Sequence, residues 1–251
     1  MRQNVAVRPG LAIAAGRSTM IGALLPEAAS AEAFGDVPES AMYPAEAVLV
    51  ARAGARRRRE FGTVRHCARN ALRSLGAPDV ALLPDADGVP VWPDGVIGSL
   101  THCDGYRGAA VARTEQIRGL GIDAEPHDAL PDGVRELVLR DEEQARSRTL
   151  TAVWPDVHWD RVVFCAKEAV YKAWFPPTRQ WLGFSDVSIS LGVDGGLQAD
   201  LRPGRIAAGR RMPERLAGRW LVGRGLVVVA AWIAAPGSGL PSDIGPQAAV
   251  R

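Results

Sequence analysis

The only two lysines of this 251-residue chain, Lys167 and Lys172, lie five positions apart, and every other basic residue is an arginine. An ammonium is a compact point charge that suits phosphate oxygens, whereas a guanidinium is a planar fork. Two ammonium groups within about one and a half helical turns therefore indicate a phosphate-binding site. Ordinary helix composition is the alternative, because a single motif of this kind is weak.

A second candidate site is the run 121–126, Gly-Ile-Asp-Ala-Glu-Pro. In a strand, side chains alternate, so Asp123 and Glu125 face one way while Ile122 and Ala124 face the core. Their Cα atoms would lie about 6.5–7 Å apart, so that one hard cation could sit between the carboxylates. Mg²⁺ is usually held by one or two carboxylates, water and substrate phosphates. Two solvated acids at an exposed strand end are the alternative.

Glu168 could supply a third carboxylate, four residues before Lys172. The alternative is a surface ion pair between these two side chains, which would contribute only about 0.3–0.5 kcal/mol. Lys167 lies about 100° round the helix from Glu168, so we expect it to reach a neighbouring part of the same ligand. His102 follows a short apolar run, and a lone histidine in such a position is more often structural than catalytic.

Composition excludes several classes of protein. The net charge is +2, so bulk electrostatics favours neither nucleic acid nor a membrane surface as partner. The three cysteines have no metal spacing, and their odd number argues against a disulfide framework. No apolar run approaches the roughly 20 residues of a membrane span, and none near the start is long enough for a signal peptide. We therefore expect a cytoplasmic protein.

Charge is segregated along the chain. Residues 46–75 hold eight arginines and two glutamates, whereas residues 121–160 hold ten carboxylates and four arginines. A polyphosphate held by arginines and by a carboxylate-bound metal would use both segments. For the arginines at every fourth position, Arg65, Arg69 and Arg73, the alternative is a solvated helix face.

The hydrophobic pattern predicts the elements that position these residues. Helical spacing predicts long helices over 45–75 and 160–174, the second stopped by Pro176. Short apolar runs predict strands at 96–102, 108–112, 120–125, 187–191 and 226–232. This order predicts an α+β fold of two similar halves. The expected divisions are a flexible leader at 1–17, halves at 18–122 and 123–235, and a flexible tail at 236–251.

Three segments, Gly98–Cys103, Gly121–Pro126 and Phe164–Lys172, together resemble the ordered motifs of 4′-phosphopantetheinyl transferases. The resemblance is to the monomeric surfactin-type class, and within it to the branch of enterobactin synthase component D. It covers roughly residues 20–235, and the set of motifs in this order is highly specific. Further segments that fit the branch are Arg58–Phe61, Arg65–Arg69, Trp92–Gly95 and Trp181–Phe184.

The resemblance implies a monomer of two pseudo-symmetric α/β halves and a defined reaction. The family transfers 4′-phosphopantetheine from coenzyme A to a serine of an apo acyl or peptidyl carrier protein, as a holo-[acyl-carrier-protein] synthase does. The reaction uses Mg²⁺, releases adenosine 3′,5′-bisphosphate and activates fatty acid, polyketide or nonribosomal peptide synthases. Coenzyme A and carrier proteins are then the expected partners, with no role for nucleic acid or membrane.

The family's functional residues can be carried over to matching positions. Asp123, Glu125 and Glu168 would hold Mg²⁺, and Glu168 would also be the general base for the carrier serine. Lys172 would contact the transferred phosphate or the leaving-group side, and Lys167 the phosphates. Positions matching the coenzyme A contacts are Arg57, Arg65, Thr101 and His102.

The stretch 84–90 departs from the family pattern. Family members often carry a basic residue shortly before a Gly-x-Pro, whereas this chain has Asp85 and Asp87 there. The arginines of 56–59 would have to compensate. Two other classes remain open on the residues alone: another Mg²⁺-dependent phosphoryl enzyme, such as a pyrophosphatase or phosphodiesterase, and a carrier-binding module without activity.

Overall fold

The computed structural model describes residues 19–25, 27–38, 42–202 and 212–241. The expected leader at 1–17 lies outside these ranges, as do residues 242–251 of the expected tail. In the described start of that tail, the Trp232 indole Nε1 donates to the Pro241 carbonyl oxygen at 3.1 Å. No helix within the described ranges is long and apolar enough to cross a membrane.

The described strands form two antiparallel sheets, which confirms the predicted α+β class. The first sheet contains β1 (Ala29–Ala33), β2 (Val96–Cys103) and β3 (Tyr106–Arg113), in the order β1-β3-β2. The second sheet contains β4 (Ile117–Pro126), β5 (Val187–Leu191), β6 (Gly196–Leu201), β7 (Arg215–Gly223) and β8 (Leu226–Ala234), in the order β4-β8-β7-β6-β5.

A long helix packs on each sheet. The helices are α1 (Met20–Leu24), α2 (Pro44–Leu49), α3 (Ala55–Ser74), α4 (Val134–Val138), α5 (Asp141–Val153) and α6 (Trp159–Thr178). Helix α3 packs on the first sheet because its small and apolar residues recur at helical spacing, as Ala68 and Leu72 do. Helix α6 covers the second sheet, where Val162 and Val170 join the core with Val229.

Strand β4 joins the two halves. It is the edge strand of the second sheet, and its outward amides are paired by hydroxyl groups of β2. The Ile122 amide donates to Ser99 Oγ and the Ala124 amide donates to Thr101 Oγ1, both at 3.0 Å. The Ile122 and Ala124 side chains are fully buried in the core between the sheets. The opposite face of β4 is therefore turned toward α6.

The glycine before the acidic motif allows α6 to lie close to β4. A Cβ atom on Gly121 would overlap the carbonyl oxygen of Ala169, and it would come within 2.6 Å of the Ala173 amide nitrogen. Real Cβ atoms do not approach backbone atoms so closely, so this position requires glycine. The close approach brings the α6 side chains over the β4 carboxylates.

Several predicted element bounds differ from those observed. The helix expected over 45–75 is two helices, α2 and α3, separated by residues 50–54. Helix α6 continues through Pro176 and Pro177 to Thr178, because prolines in a last turn remove few amide donors, and Thr178 Oγ1 donates to the Trp174 carbonyl at 2.7 Å. Strands β1 and β7 and helix α1 were not predicted.

The division expected between residues 122 and 123 stays a prediction. It would fall inside β4, whose backbone pairs with β8 between Ile117 and Pro126. A division at the turn between β3 and β4, around residues 114–116, agrees better with this pairing.

Candidate functional site between β4 and α6

Lys172 lies over the acidic face of β4. Its Nζ donates to Asp123 Oδ1 at 2.6 Å and to the Ile122 carbonyl oxygen at 3.2 Å. Burial would lower the pKa of Lys172, but the Asp123 carboxylate outweighs it and the pKa is raised. The lysine is therefore a fixed cation, with 30% of its side chain still exposed to a ligand.

Asp123 is almost completely buried, at 5% exposure. Its Oδ1 accepts from Lys172 and, at 3.4 Å, from Thr101 Oγ1. Its Oδ2 is also buried but has no hydrogen-bond partner among the described residues. A buried carboxylate oxygen without a partner is unfavourable, so this atom is suited to receive a cation or a donor from a ligand.

Glu125 lies two residues further along the same face of β4. Burial, followed by the nearby Asp123 carboxylate, raises the pKa of Glu125 to about 7, against the lowering effect of Arg161. Arg161 holds Glu125 through Nη1 to Oε2 at 3.3 Å. The same guanidinium donates to the carbonyl oxygens of Asp128 and Ala129, both at 3.0 Å.

Glu168 faces this cluster from α6. Burial and then the Asp123 carboxylate raise the pKa of Glu168, while Lys172 lowers it. Within the described part of the chain its carboxylate makes no hydrogen bond. The surface ion pair that the sequence offered as an alternative, Glu168 with Lys172, is not formed, because Lys172 pairs with Asp123 instead.

The predicted ligands fit a Mg²⁺ ion by chemistry. The three carboxylates lie close together, since the Asp123 carboxylate raises the pKa of both Glu125 and Glu168, and they provide the hard oxygen atoms that Mg²⁺ prefers. The buried, unpartnered Oδ2 of Asp123 agrees with this function. Among the described residues, however, no three acidic, histidine or cysteine side chains are already arranged around one metal position. Lys172 and Arg161 neutralise two of the three carboxylates.

Lys167 does not join the cluster. Its Nζ contacts Glu143 Oε2 at 2.6 Å and donates to the carbonyl oxygens of Val138 and Phe184 at 2.7 and 2.8 Å. Its side chain is 1% exposed, so the expected contact with ligand phosphates does not fit this placement. The physical reason is helical geometry, because five residues correspond to a rotation of about 140°, and Lys167 and Lys172 leave α6 on different faces.

The four residues expected to bind coenzyme A fall into two groups, two exposed and two buried. Arg57 and His102 are exposed, and Arg57 Nη1 donates to His102 Nε2 at 3.0 Å. A guanidinium can only donate, so the histidine is the acceptor. Burial and then the Arg57 charge lower the pKa of His102. The other two are buried: Thr101 contacts Asp123 and β4, and Arg65 Nε donates to the Leu82 carbonyl oxygen at 3.0 Å.

Arg65 is held in a partly apolar environment. Its guanidinium lies 4.3 Å from the centre of the Phe61 ring. Burial lowers the pKa of Arg65 to about 10, with the nearby Glu46 opposing this shift. The side chain therefore has a structural function, and its expected contact with coenzyme A stays a prediction.

Sequence reasoning missed Arg161 and a cavity beside Lys172. Arg161 lies seven residues before Glu168, which places both on one face of α6, and this spacing was a usable signal. The cavity, of about 260 Å³, is lined from both halves, by residues 87–90 and 98–100 on one side and by Tyr171, Lys172, Phe175 and Pro176 on the other. Its walls come together only in the folded chain, so no local sequence pattern predicts the cavity.

Comparisons with known proteins agree with the resemblance. Residues 45–112 match the family model of the 4′-phosphopantetheinyl transferase N-terminal domain, and residues 119–214 match that of the 4′-phosphopantetheinyl transferase superfamily. The chain is 50% identical over 223 residues to 4′-phosphopantetheinyl transferase Svp of Streptomyces mobaraensis, covering 86% of this chain and 90% of that one.

Two further relatives extend the comparison. 4′-Phosphopantetheinyl transferase PptT of Mycobacterium tuberculosis is 47% identical over 224 residues, which cover 84% of this chain and 97% of the relative. Enterobactin synthase component D of Salmonella typhimurium is 34% identical over 125 residues, about half of each chain (48% and 50%).

Proposed function

The chain belongs to the 4′-phosphopantetheinyl transferase superfamily, and we propose that it carries out its reaction where β4 faces α6. The protein is a transferase that moves the 4′-phosphopantetheine group from coenzyme A to carrier proteins. What remains to propose is which residues do this, which ion assists them and which carriers are acceptors.

We propose that Asp123, Glu125 and Glu168 hold Mg²⁺. When bound, the ion would neutralise charge on the pyrophosphate of coenzyme A. The observation that carries this proposal is the buried Asp123 carboxylate, which has one oxygen on Lys172 and the other without a partner among the described residues. Arg161 would keep Glu125 oriented through the contact at 3.3 Å.

The transfer itself needs a base and a cation beside the phosphorus atom. The hydroxyl oxygen of the carrier serine forms a bond to the phosphorus next to pantetheine, and the phosphorus–oxygen bond to the nucleotide breaks. Adenosine 3′,5′-bisphosphate leaves with that bonding pair. Glu168 would take the serine proton as the general base. Lys172 would neutralise charge that develops on the phosphoryl oxygens.

Coenzyme A would lie in the cleft between the halves. Arg57 and His102 would form an exposed polar rim for its phosphates, and Lys172 lines the cavity of about 260 Å³. Lys167 has a structural function in this proposal, because its ammonium is enclosed by Glu143 and two carbonyl oxygens.

The acceptors are proposed to be apo acyl or peptidyl carrier proteins, modified by a monomeric, cytoplasmic enzyme. Because one relative is a component of enterobactin synthase, carrier domains of siderophore assembly belong in the test panel beside those of fatty acid and polyketide synthesis. The protein would be incubated with coenzyme A, Mg²⁺ and each apo carrier, and the intact mass of the carrier measured. If none of the carriers gained mass in the presence of Mg²⁺, the proposal would be contradicted.

A further inference from the structure

Arg179 is the residue immediately after α6, and its backbone is in the left-handed region with φ of 58°. Glycine adopts this conformation without the steric penalty that a Cβ atom brings. The arginine is nevertheless present, and its side chain reaches across to the N-terminal half. Nη2 contacts Asp85 Oδ2 at 2.7 Å and Nη1 contacts Asp87 Oδ2 at 3.1 Å.

The two aspartates belong to a tight turn, residues 84–90, here named the acidic loop. Asp85 Oδ1 accepts from the Asp87 and Val89 amides at 3.0 and 2.9 Å, and Gly88 has φ of 82°. One oxygen of Asp85 therefore orders the loop, while the other is available to Arg179. The hydrogen bond from Arg179 also lowers the pKa of Asp85, so this carboxyl stays ionised.

Part of the acidic loop forms one wall of the cavity that Lys172 also lines. Residues 87–90 line that wall, and Tyr171, Lys172, Phe175 and Pro176 of α6 line the opposite one. Arg179 follows directly on α6, so its contact with Asp85 and Asp87 spans the cleft from one wall to the other. The contact also pairs two negative charges at the edge of a cavity whose proposed ligand is a polyanion.

We propose that Arg179 is a specificity-determining residue that neutralises Asp85 and Asp87, so that the cleft accepts coenzyme A despite its acidic loop. This inference rests on the proposed position of coenzyme A in the cleft. It also accounts for the acids at a place where related enzymes often carry a basic residue, since this chain supplies the cation from the opposite half. Arg56 is then not required for that compensation, and it already pairs with Glu60 and Asp104.

The test compares the single variant Arg179→Ala with a triple variant. The triple variant combines Arg179→Ala, Asp85→Asn and Asp87→Asn. Asparagine keeps the carbonyl oxygen that orders the loop. Unpaired carboxylates within about one Debye length of the phosphates, roughly 8 Å at physiological salt, repel them. We expect Arg179→Ala to raise KM for coenzyme A about three- to tenfold, with little change in kcat. The triple variant should restore KM, and added salt should reduce the defect of the single variant.

Arg224 provides the matched control. It is also an arginine with positive φ, at 54°, and its guanidinium lies over the Phe34 ring, 4.0 Å from the ring centre, instead of in the cleft. Arg224→Ala should leave KM unchanged. An unchanged KM in Arg179→Ala, or a triple variant as defective as the single one, would overturn the inference. Asp123→Asn distinguishes the two proposals. If Asp123→Asn is inactive while Arg179→Ala has an unchanged KM, the inference about Arg179 fails and the proposed site stands. If Asp123→Asn is fully active, the proposed site itself is contradicted.

Discussion

Replacing Lys172 with arginine keeps the charge and changes only the shape of the cation. The ammonium contacts Asp123 Oδ1 at 2.6 Å and the Ile122 carbonyl oxygen at 3.2 Å. A guanidinium is longer and planar, so it cannot keep both contacts without moving its charge away from the phosphoryl group. A displacement of about 1 Å can reduce a rate about 100-fold, which corresponds to about 2.7 kcal/mol in the barrier.

The assay is the conversion of an apo carrier at saturating coenzyme A, beside a thermal melt of each variant. Lys172→Arg should show a fall in kcat of about 100-fold and a nearly unchanged melting temperature, because charge and partner are kept. Full activity would refute the reasoning, since it would mean that the site does not distinguish an ammonium from a guanidinium.

The other lysine is the matched control. Lys167→Met leaves the buried Glu143 without its cation, and breaking a buried pair typically costs about 3–5 kcal/mol. For a protein of this size that corresponds to a fall in melting temperature of roughly 6–20 °C. The two lysine variants should therefore give opposite results. Lys172→Arg should be stable but slow, whereas Lys167→Met should be unstable, with a kcat per folded molecule close to that of the wild type.

Three further predictions concern the carboxylates and the arginine rim. Asp123→Asn, which keeps the side chain's shape, should abolish transfer at every Mg²⁺ concentration while the protein still melts cooperatively; near-wild-type turnover would remove Asp123 from the metal site. Arg57→Ala should raise KM for coenzyme A about tenfold and change dephospho-coenzyme A far less; equal losses on both donors would move Arg57 away from the 3′-phosphate. The pKa of Glu125 is raised from 4.5 to about 7, so its protonated form favours the folded state fully below about pH 4.5, and this contribution is lost as the pH rises through about 7. Without Mg²⁺, the free energy of unfolding of Glu125→Gln should therefore rise relative to that of the wild type as the pH increases from about 5 to about 8, by at most about 3 kcal/mol. The same difference between the two proteins at both pH values would count against the raised pKa.

The local patterns predicted what depends on local geometry. Strand alternation put Asp123 and Glu125 on one face and Ile122 on the other, and the structure agrees, because β4 is regular over Gly119–Pro126. Helical spacing located α6 and its Glu168. These features depend on periods of two and 3.6 residues that the sequence carries directly.

What the sequence did not provide were contacts between distant segments. Lys167 and Lys172 were expected to share one ligand, yet Lys167 pairs with Glu143 of α5. A helix and loop were expected over 132–150, but helical spacing does not show which distant residue such a helix contacts. Arg65 was expected on coenzyme A alone, whereas it also supports the Leu82 carbonyl, so Arg65→Ala should reduce stability as well as affinity. The contact of Arg179 with the acidic loop joins residues more than 90 positions apart, a distance over which no periodicity extends.

The central claim is that the cluster between β4 and α6 transfers phosphopantetheine and needs Mg²⁺ to do so. The most direct measurement is the intact mass of an apo carrier after incubation with coenzyme A, with Mg²⁺ or with a chelator, using the wild type and Asp123→Asn. The account predicts that the carrier gains one phosphopantetheinyl group only with the wild type and Mg²⁺, and that a carrier without its serine gains none. Equal conversion in the presence of the chelator, or by Asp123→Asn, would contradict it.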